Sequence, residues 1–132
     1  MKFRVASSIV MAGVACAAAL VTASPAQAAT RTCQADQWKY DACFDGSNDA
    51  FYISDYATDG RRAVIKWYAY DGSGRSGECH DANGASNGAV KCDYDFREGS
   101  GNYVAFQGMT RNGADGRDED ISFMVIGYVT PR

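Results

Sequence analysis

The sequence has little of what many enzymes and membrane proteins depend on. It contains one histidine, His80, and no CxxC pair, HExxH motif or Walker loop, so zinc and nucleotide chemistry are not expected. After Val21 no apolar run approaches the ~20 residues of a transmembrane helix. The chain also has no basic stripe to neutralise a run of phosphates. We therefore expect neither a nucleic-acid nor a membrane partner for the mature protein.

The N-terminus has the pattern of an export signal. Lys2 and Arg4 precede a long apolar run, and the tripeptide AQA that ends at Ala28 fits an A-x-A cleavage site. We predict a signal peptide over residues 1–28 and a single secreted, extracellular β domain over residues 29–132.

The predicted mature chain is mildly acidic. The sequence has 13 Lys and Arg residues and 16 Asp and Glu residues, and removing Lys2 and Arg4 leaves 11 basic side chains against the same 16 acidic ones. An excess of acidic charge of this size favours solubility outside the cell.

Four cysteines lie in the predicted mature chain: Cys33, Cys43, Cys79 and Cys92. An even number in a small exported protein predicts disulfides. Three pairings are possible, and we favour Cys33–Cys43 with Cys79–Cys92 because each pair flanks a segment short enough to form a hairpin. On the loop-entropy account each disulfide would contribute about 2 to 3 kcal/mol.

Alternation with period two dominates the mature sequence. In AVKCDYDF, residues 89–96, every second side chain is apolar, which predicts a half-buried antiparallel strand with Cys92 facing inward. Further strands are predicted over residues 51–56, 63–70, 78–81, 102–109 and 121–129. Asn-Gly and Asp-Gly pairs between them suit tight turns. We predict an all-β fold, a disulfide-stapled antiparallel β-sandwich, immunoglobulin-like or related, with about six or seven strands.

A hydrolase could use His80 as its base. Glu78 or Asp81 would orient the imidazole and Ser76 would supply a hydroxyl, which is the set of groups that such chemistry needs within hydrogen-bond reach. The alternative is a histidine beside a disulfide, since an inward Cys79 turns His80 outward. We favour this alternative and expect no enzymatic activity.

The segment NGADGRDED, residues 112–120, concentrates carboxylates. Ca²⁺ takes six to eight oxygen ligands, and a weak extracellular Ca²⁺ site is one interpretation of this loop. Its ligands would be Asp115, Asp118, Glu119 and Asp120. Arg111 and Arg117 favour the opposite interpretation, because they would neutralise the same loop. No other cofactor is expected.

The stretch TCQADQWKYDACFDG, residues 32–46, places Trp38, Lys39 and Tyr40 between two cysteines. In a hairpin closed by the disulfide these residues fall at the turn, where an exposed aromatic cluster is typical of a binding hot spot. The alternative is that Trp38 and Tyr40 share one face of a strand and pack into the core while Lys39 faces water.

The triplet Trp38-Lys39-Tyr40 resembles the Trp-Arg-Tyr triplet of the tendamistat-type secreted α-amylase inhibitors, which display it in a disulfide-closed loop. Lys39 stands where that family has arginine, and the loop is shorter here. A broader likeness joins RSGECHDANG, residues 75–84, and CDYDF, residues 92–96, to small secreted actinobacterial proteins of unassigned function. The first resemblance implies an inhibitor and the second a compact secreted β domain.

The sequence therefore favours a secreted, non-catalytic binding domain, monomeric, with an extracellular protein or glycan as partner. Inhibition of an extracellular hydrolase through the triplet is the leading form of this hypothesis. One alternative is a carbohydrate- or cell-wall-binding module that uses exposed aromatics such as Tyr52, Trp67 or Tyr68. The other is the small secreted hydrolase centred on His80.

Overall fold

The structure is a computed structural model that describes residues 31–36 and 38–132. The predicted signal peptide, residues 1–28, lies outside the described residues. The described chain contains no helix and has eight strands. Their bounds are β1 (Arg31–Asp36), β2 (Tyr40–Asp45), β3 (Ala50–Asp55), β4 (Arg62–Tyr70), β5 (Ser76–Asp81), β6 (Val90–Asp93), β7 (Tyr103–Arg111) and β8 (Val125–Tyr128). Within these ranges nothing forms a helix long and apolar enough to cross a bilayer.

The strands form two four-stranded antiparallel sheets that pack face to face. The first sheet has the order β1-β2-β3-β6 and the second has the order β5-β4-β7-β8. This confirms the predicted all-β sandwich, with eight strands where six or seven were expected.

Two predicted strands are shorter in the structure. The strand expected over residues 121–129 is limited to Val125–Tyr128. Asp120, with φ of 51°, turns the chain, and Ser122 donates a backbone hydrogen bond to the carbonyl of Gly108 ahead of β8. β6 ends at Asp93, which lies opposite Ala50, the first residue of β3. Beyond it the Tyr94 N–H donates to the Asp49 carbonyl and the Phe96 N–H to the Asp49 carboxylate.

Aromatic rings fill the space between the sheets. Phe44 and Phe51 of the first sheet face Trp67 and Phe106 of the second, with Phe96 at one side, and all five are at most 3% exposed. The Phe51 and Trp67 rings stack with centroids 6.0 Å apart. Rings of this size dominate the hydrophobic stabilisation of a small domain. The predicted inward face of 89–96 is confirmed, because Val90, Cys92, Tyr94 and Phe96 all pack on this core.

Two glycines make room for these rings. A Cβ on Gly77 would lie 2.6 Å from Trp67, its partner in the β4–β5 register. A Cβ on Gly108 would lie 2.3 Å from the ring of Tyr40. Only glycine therefore allows the aromatic ring to approach the opposing backbone at either place.

Both predicted disulfides, Cys33–Cys43 and Cys79–Cys92, are present. The first bridges directly opposed residues of the β1–β2 hairpin on the outer face of the first sheet. The spacing of Cys79 and Cys92 suggested that the second disulfide closes a hairpin, and this expectation is wrong. It joins β5 of the second sheet to β6 of the first, and thereby links the two layers through the core.

Candidate functional site

The turn between β1 and β2, the hairpin tip, presents Trp38 and Lys39. Trp38 is 82% exposed, which places its indole in solvent at the end of the sandwich. Lys39 Nζ lies 2.5 Å from Asp120 Oδ1. The hydrogen bond to Asp120 raises the pKa of Lys39, and the same contact lowers the pKa of Asp120. The exposed tryptophan therefore stands beside an ion pair that ties the tip to the 119–122 segment.

The backbone of the hairpin tip is held by three hydrogen bonds. Trp38 N–H donates to Asp36 Oδ1 at 3.2 Å, and Lys39 N–H donates to the Asp36 carbonyl at 2.9 Å. The Lys39 carbonyl accepts from Tyr56 N–H at 2.8 Å. Together with the Cys33–Cys43 disulfide, these contacts fix the turn before any partner arrives, which lowers the ordering cost of binding.

Tyr40 lies inside the domain, unlike Trp38 and Lys39, which precede it. It is fully buried, its ring lies against Gly108, and its hydroxyl donates to the Asp120 carbonyl at 2.8 Å. Burial raises the pKa of Tyr40. The expectation of an exposed Trp38/Tyr40 pair is therefore corrected, because Tyr40 begins β2 and points inward. The alternative, with both rings in the core, is equally wrong for Trp38.

A groove of about 320 Å³ adjoins the tip, between β1 and the segment that precedes β8. We call it the tip groove, and its lining is Gln34, Ala35, Asp36, Tyr40, Asp120, Ile121, Ser122 and Phe123. Phe123 is 89% exposed, and Ile121 is 53% exposed. The sequence does not reveal either residue as exposed, because the apolar run ISFMVIGYV predicts a buried strand. The nearby polar segment DGRDED is the only local sign that this run starts in a loop.

His80 lies on the outer face of the second sheet, as its alternation with the buried Cys79 predicts. His80 Nε2 is 3.0 Å from Glu78 Oε2. Glu78 is also bonded by both terminal nitrogens of Arg111, at 2.8 and 2.6 Å. The Arg111 guanidinium, aided by His80, lowers the pKa of Glu78 to about 2. The carboxylate is thus held ionised in a paired network.

The other proposed members of a His80 site are not brought to it. Asp81 is buried and accepts from the backbone N–H groups of Asp55 and Asn83. Ser76 is four residues from His80 on the same strand, a separation of ~13 Å. Neither Asp81 nor Ser76 is therefore placed to act together with His80.

Two further motif matches occur in loops. Residues 84–88, GASNG, match G-x-S-x-G, and residues 72–77, GSGRSG, match G-x-G-x-x-G. Both motifs act where a strand leads into a helix. Here GASNG joins β5 to β6 and GSGRSG joins β4 to β5. Neither loop provides the strand-to-helix turn that the corresponding chemistry requires.

Three carboxylates of the acidic loop, residues 112–120, form ion pairs with basic side chains of the same chain. Asp118 pairs with Arg111, Glu119 with Arg61, and Asp120 with Lys39. Within residues 31–36 and 38–132 no three His, Cys, Asp or Glu side chains are grouped to hold a metal ion. The Ca²⁺ site at Asp115, Asp118, Glu119 and Asp120 stays a prediction, with the ion pairs counting against it.

A larger open cavity, of about 610 Å³, lies among the loops at the same end of the sandwich. Its lining includes Arg61, Arg62 and Asp81. Arg61 is already paired with Glu119, and Asp81 is saturated by backbone donors. Arg61 and Asp81 therefore serve contacts within the chain at this cavity.

A second exposed aromatic surface lies on the outer face of the second sheet. Tyr70, Tyr103 and Tyr128 stand opposite one another in the registers of β4, β7 and β8. The Tyr70 and Tyr103 rings stack with centroids 4.8 Å apart, and Tyr128 meets Tyr103 edge-on at 6.2 Å. Tyr68 and Ile126 fill the next row, on either side of Ala105. We call these residues, Tyr68, Tyr70, Tyr103, Ile126 and Tyr128, the tyrosine face.

The aromatics proposed for carbohydrate binding are distributed differently. Trp67 is 3% exposed and belongs to the core, so its expected exposure is corrected. Tyr68 is 37% exposed on the tyrosine face. Tyr52 lies on the outer face of the first sheet under the Arg31 guanidinium, which is 4.9 Å from the ring centroid. Tyr70, Tyr103 and Tyr128 were not expected to form a site, since only strand register brings them together.

No family model, no curated protein and no solved structure matches this chain. The fold and the two exposed surfaces described above are therefore the basis on which function is assigned.

Proposed function

We propose that the protein is a non-catalytic extracellular binding domain that docks its hairpin tip and tip groove on a partner protein. The single observation that carries this proposal is the exposure of Trp38 and Phe123. At 82% and 89%, they are the most exposed large hydrophobic side chains among the described residues. Exposure of a large aromatic ring to water is unfavourable, and burial of the ring in a partner's pocket would remove that cost.

The rigidity of the tip supports this role. A turn stapled by a disulfide, three backbone hydrogen bonds and the Lys39–Asp120 pair presents Trp38 with little freedom left to lose. Two disulfides are also typical of extracellular proteins. Secretion through the segment 1–28 belongs to this proposal.

Inhibition of a secreted hydrolase is the form of binding that we propose first. A narrow, rigid, protruding turn is shaped to enter a concave active site. The likeness to the tendamistat-type triplet supports this choice for Trp38 and Lys39. It does not extend to Tyr40, whose ring is inside the domain.

The test is a panel of secreted hydrolases, consisting of an α-amylase, a xylanase, a chitinase and a subtilisin-type protease. The protein, produced from the full 132-residue sequence in an exporting host, is titrated into each enzyme, and residual activity and complex formation are measured. We expect inhibition of one enzyme. We expect Trp38→Ala and Phe123→Ala to weaken it by about 30-fold each, the effect of losing a hot-spot residue.

The matched control is Tyr128→Ala, which removes an aromatic side chain of 64% exposure from the outer face of the second sheet. It should inhibit as the unmodified protein does. The proposal fails if no enzyme of the panel is bound or inhibited. It also fails if both tip variants keep full affinity for an enzyme that is bound.

A further inference from the structure

The tyrosines of the tyrosine face differ from the other tyrosines of the described chain in the hydrogen bonding of their hydroxyls. Tyr40, Tyr52, Tyr56 and Tyr94 each make a hydroxyl hydrogen bond inside the chain. The hydroxyls of the other four, Tyr68, Tyr70, Tyr103 and Tyr128, have no partner within residues 31–36 and 38–132. A phenolic hydroxyl can both donate and accept, so four such groups without a partner in the described chain are concentrated on one surface.

The two rows that form this surface are uncharged, and charge begins in the next row of the same outer face, at Lys66. None of the side chains in the Tyr70-Tyr103-Tyr128 row or in the adjoining Tyr68-Ala105-Ile126 row carries a charge at neutral pH. A ligand that complements this face must therefore be neutral, because a charged peptide or an anionic polymer would lose hydration there without gaining an ion pair.

The rings add a second requirement on the ligand. Tyr70 is 53% exposed and Tyr128 is 64% exposed, so part of each ring is open to contact. The negative face of an aromatic ring attracts weakly positive C–H groups. A pyranose ring has such C–H groups on its faces and hydroxyls, each a donor and an acceptor, around its rim. It thus matches both the rings and the free hydroxyls.

We propose that the tyrosine face binds a neutral polysaccharide, a ligand class distinct from the protein partner of the hairpin tip. The row of three tyrosines runs across the strands of a sheet, which gives an open surface suited to a chain and not to an enclosed single sugar. This site does not depend on the tip, and either can exist without the other.

The test measures depletion of the oxidised protein, produced from the full sequence in an exporting host, from solution by insoluble cellulose, chitin and β-1,3-glucan. We expect binding to at least one of these neutral polymers. The double variant Tyr70→Ala/Tyr128→Ala should bind at least 10-fold more weakly. Tyr70→Phe/Tyr128→Phe, which keeps the rings and loses two hydroxyls, should bind about 3-fold more weakly.

Tyr52→Ala is the matched control, since it removes a partly exposed tyrosine from the outer face of the other sheet and should leave binding unchanged. Trp38→Ala should also bind the polymer normally, which separates this site from the hairpin tip. The proposal is overturned if none of the three polymers retains the protein, or if the phenylalanine variant binds as the unmodified protein does. It is also overturned if sedimentation shows a dimer that Tyr128→Ala dissociates, since the face would then be covered by a second copy.

Discussion

The outer face of the first sheet and the tyrosine face of the second have opposite characters, although both sheets are four-stranded and antiparallel. The outer face of the first sheet carries paired charges: Lys91 Nζ lies 2.6 Å from Asp93 Oδ1, and Arg31 covers the ring of Tyr52. The tyrosine face carries four hydroxyls with no partner in the described chain, and the paired charges of Glu78, His80 and Arg111 lie further along the same sheet. The charges of the first sheet's outer face are paired within the chain, whereas the hydroxyls of the tyrosine face are not.

This contrast shows that, among the tyrosines, exposure alone does not tell a free hydroxyl from a bonded one. Tyr56 is 42% exposed, comparable to Tyr68 at 37%, yet the Tyr56 hydroxyl is bonded to Asp41. The satisfied residue stabilises a local contact. The unsatisfied one has bonding capacity left over, and bonding capacity on a preformed surface is what a ligand uses.

The largest expected effect on stability is the difference between truncating a buried tyrosine and truncating an exposed one. Tyr40→Ala removes a fully buried ring and should lower the free energy of unfolding by about 4 kcal/mol. Tyr128→Ala removes an exposed ring and should change it by less than about 0.5 kcal/mol. Urea denaturation followed by circular dichroism measures both. Equal losses would show that the tyrosine face is structural and would remove the contrast.

The next effect concerns the charged end of the second sheet's outer face. The pKa of Glu78 is lowered to about 2 by Arg111 and His80, from an ordinary value of 4.5. A lowered carboxylate pKa stabilises the fold above pH 4.5, and this stabilisation is lost as the pH falls from 4.5 towards 2. We expect a loss of about 2 kcal/mol across that window, after allowing for partial exposure of the carboxylate.

Thermal unfolding between pH 2 and pH 6 tests this assignment. Glu78→Gln should be less stable at pH 6 and should show a shallower decline below pH 4.5. Some decline should remain, because Asp71 also has a pKa of about 2: burial raises it, and hydrogen bonds from Ser73 and Arg97 outweigh that effect. If the variant and the unmodified protein have parallel profiles, the Glu78–Arg111 pair contributes nothing to acid stability.

Much of the fold could be predicted because it depends on local patterns. Alternation placed Phe96 and Cys92 inward, and the cysteine spacing identified both disulfides. The layer-crossing path of Cys79–Cys92 could not be predicted, since spacing reports separation along the chain and not which sheet each strand joins. The number of strands was underestimated because residues 31–45 were considered as a disulfide-closed hairpin and not counted as two separate strands, β1 and β2.

The candidate sites depended on contacts between distant residues. The burial of Tyr40 requires a glycine at position 108, which lies opposite its ring and 68 positions later in the chain. The row of Tyr70, Tyr103 and Tyr128 requires a register that no single strand encodes. Local reasoning placed His80 outward beside the buried Cys79. For Trp38 it left two alternatives, and the one that puts the midpoint of a disulfide-closed hairpin at the tip agrees with its exposure.

The smallest expected effect isolates the hydroxyls themselves. Tyr94 donates its hydroxyl to the Glu78 carbonyl at 3.0 Å in a partly buried position. Tyr94→Phe should lower the free energy of unfolding by about 1 kcal/mol, the net value of one such bond. Tyr128→Phe removes a hydroxyl with no partner in the described chain, and it should change stability by less than about 0.3 kcal/mol. Guanidinium titrations of both variants, measured side by side, resolve a difference of this size. If Tyr128→Phe costs as much as Tyr94→Phe, the hydroxyls of the tyrosine face are already engaged in the free protein, and the distinction between a satisfied and an available surface is lost.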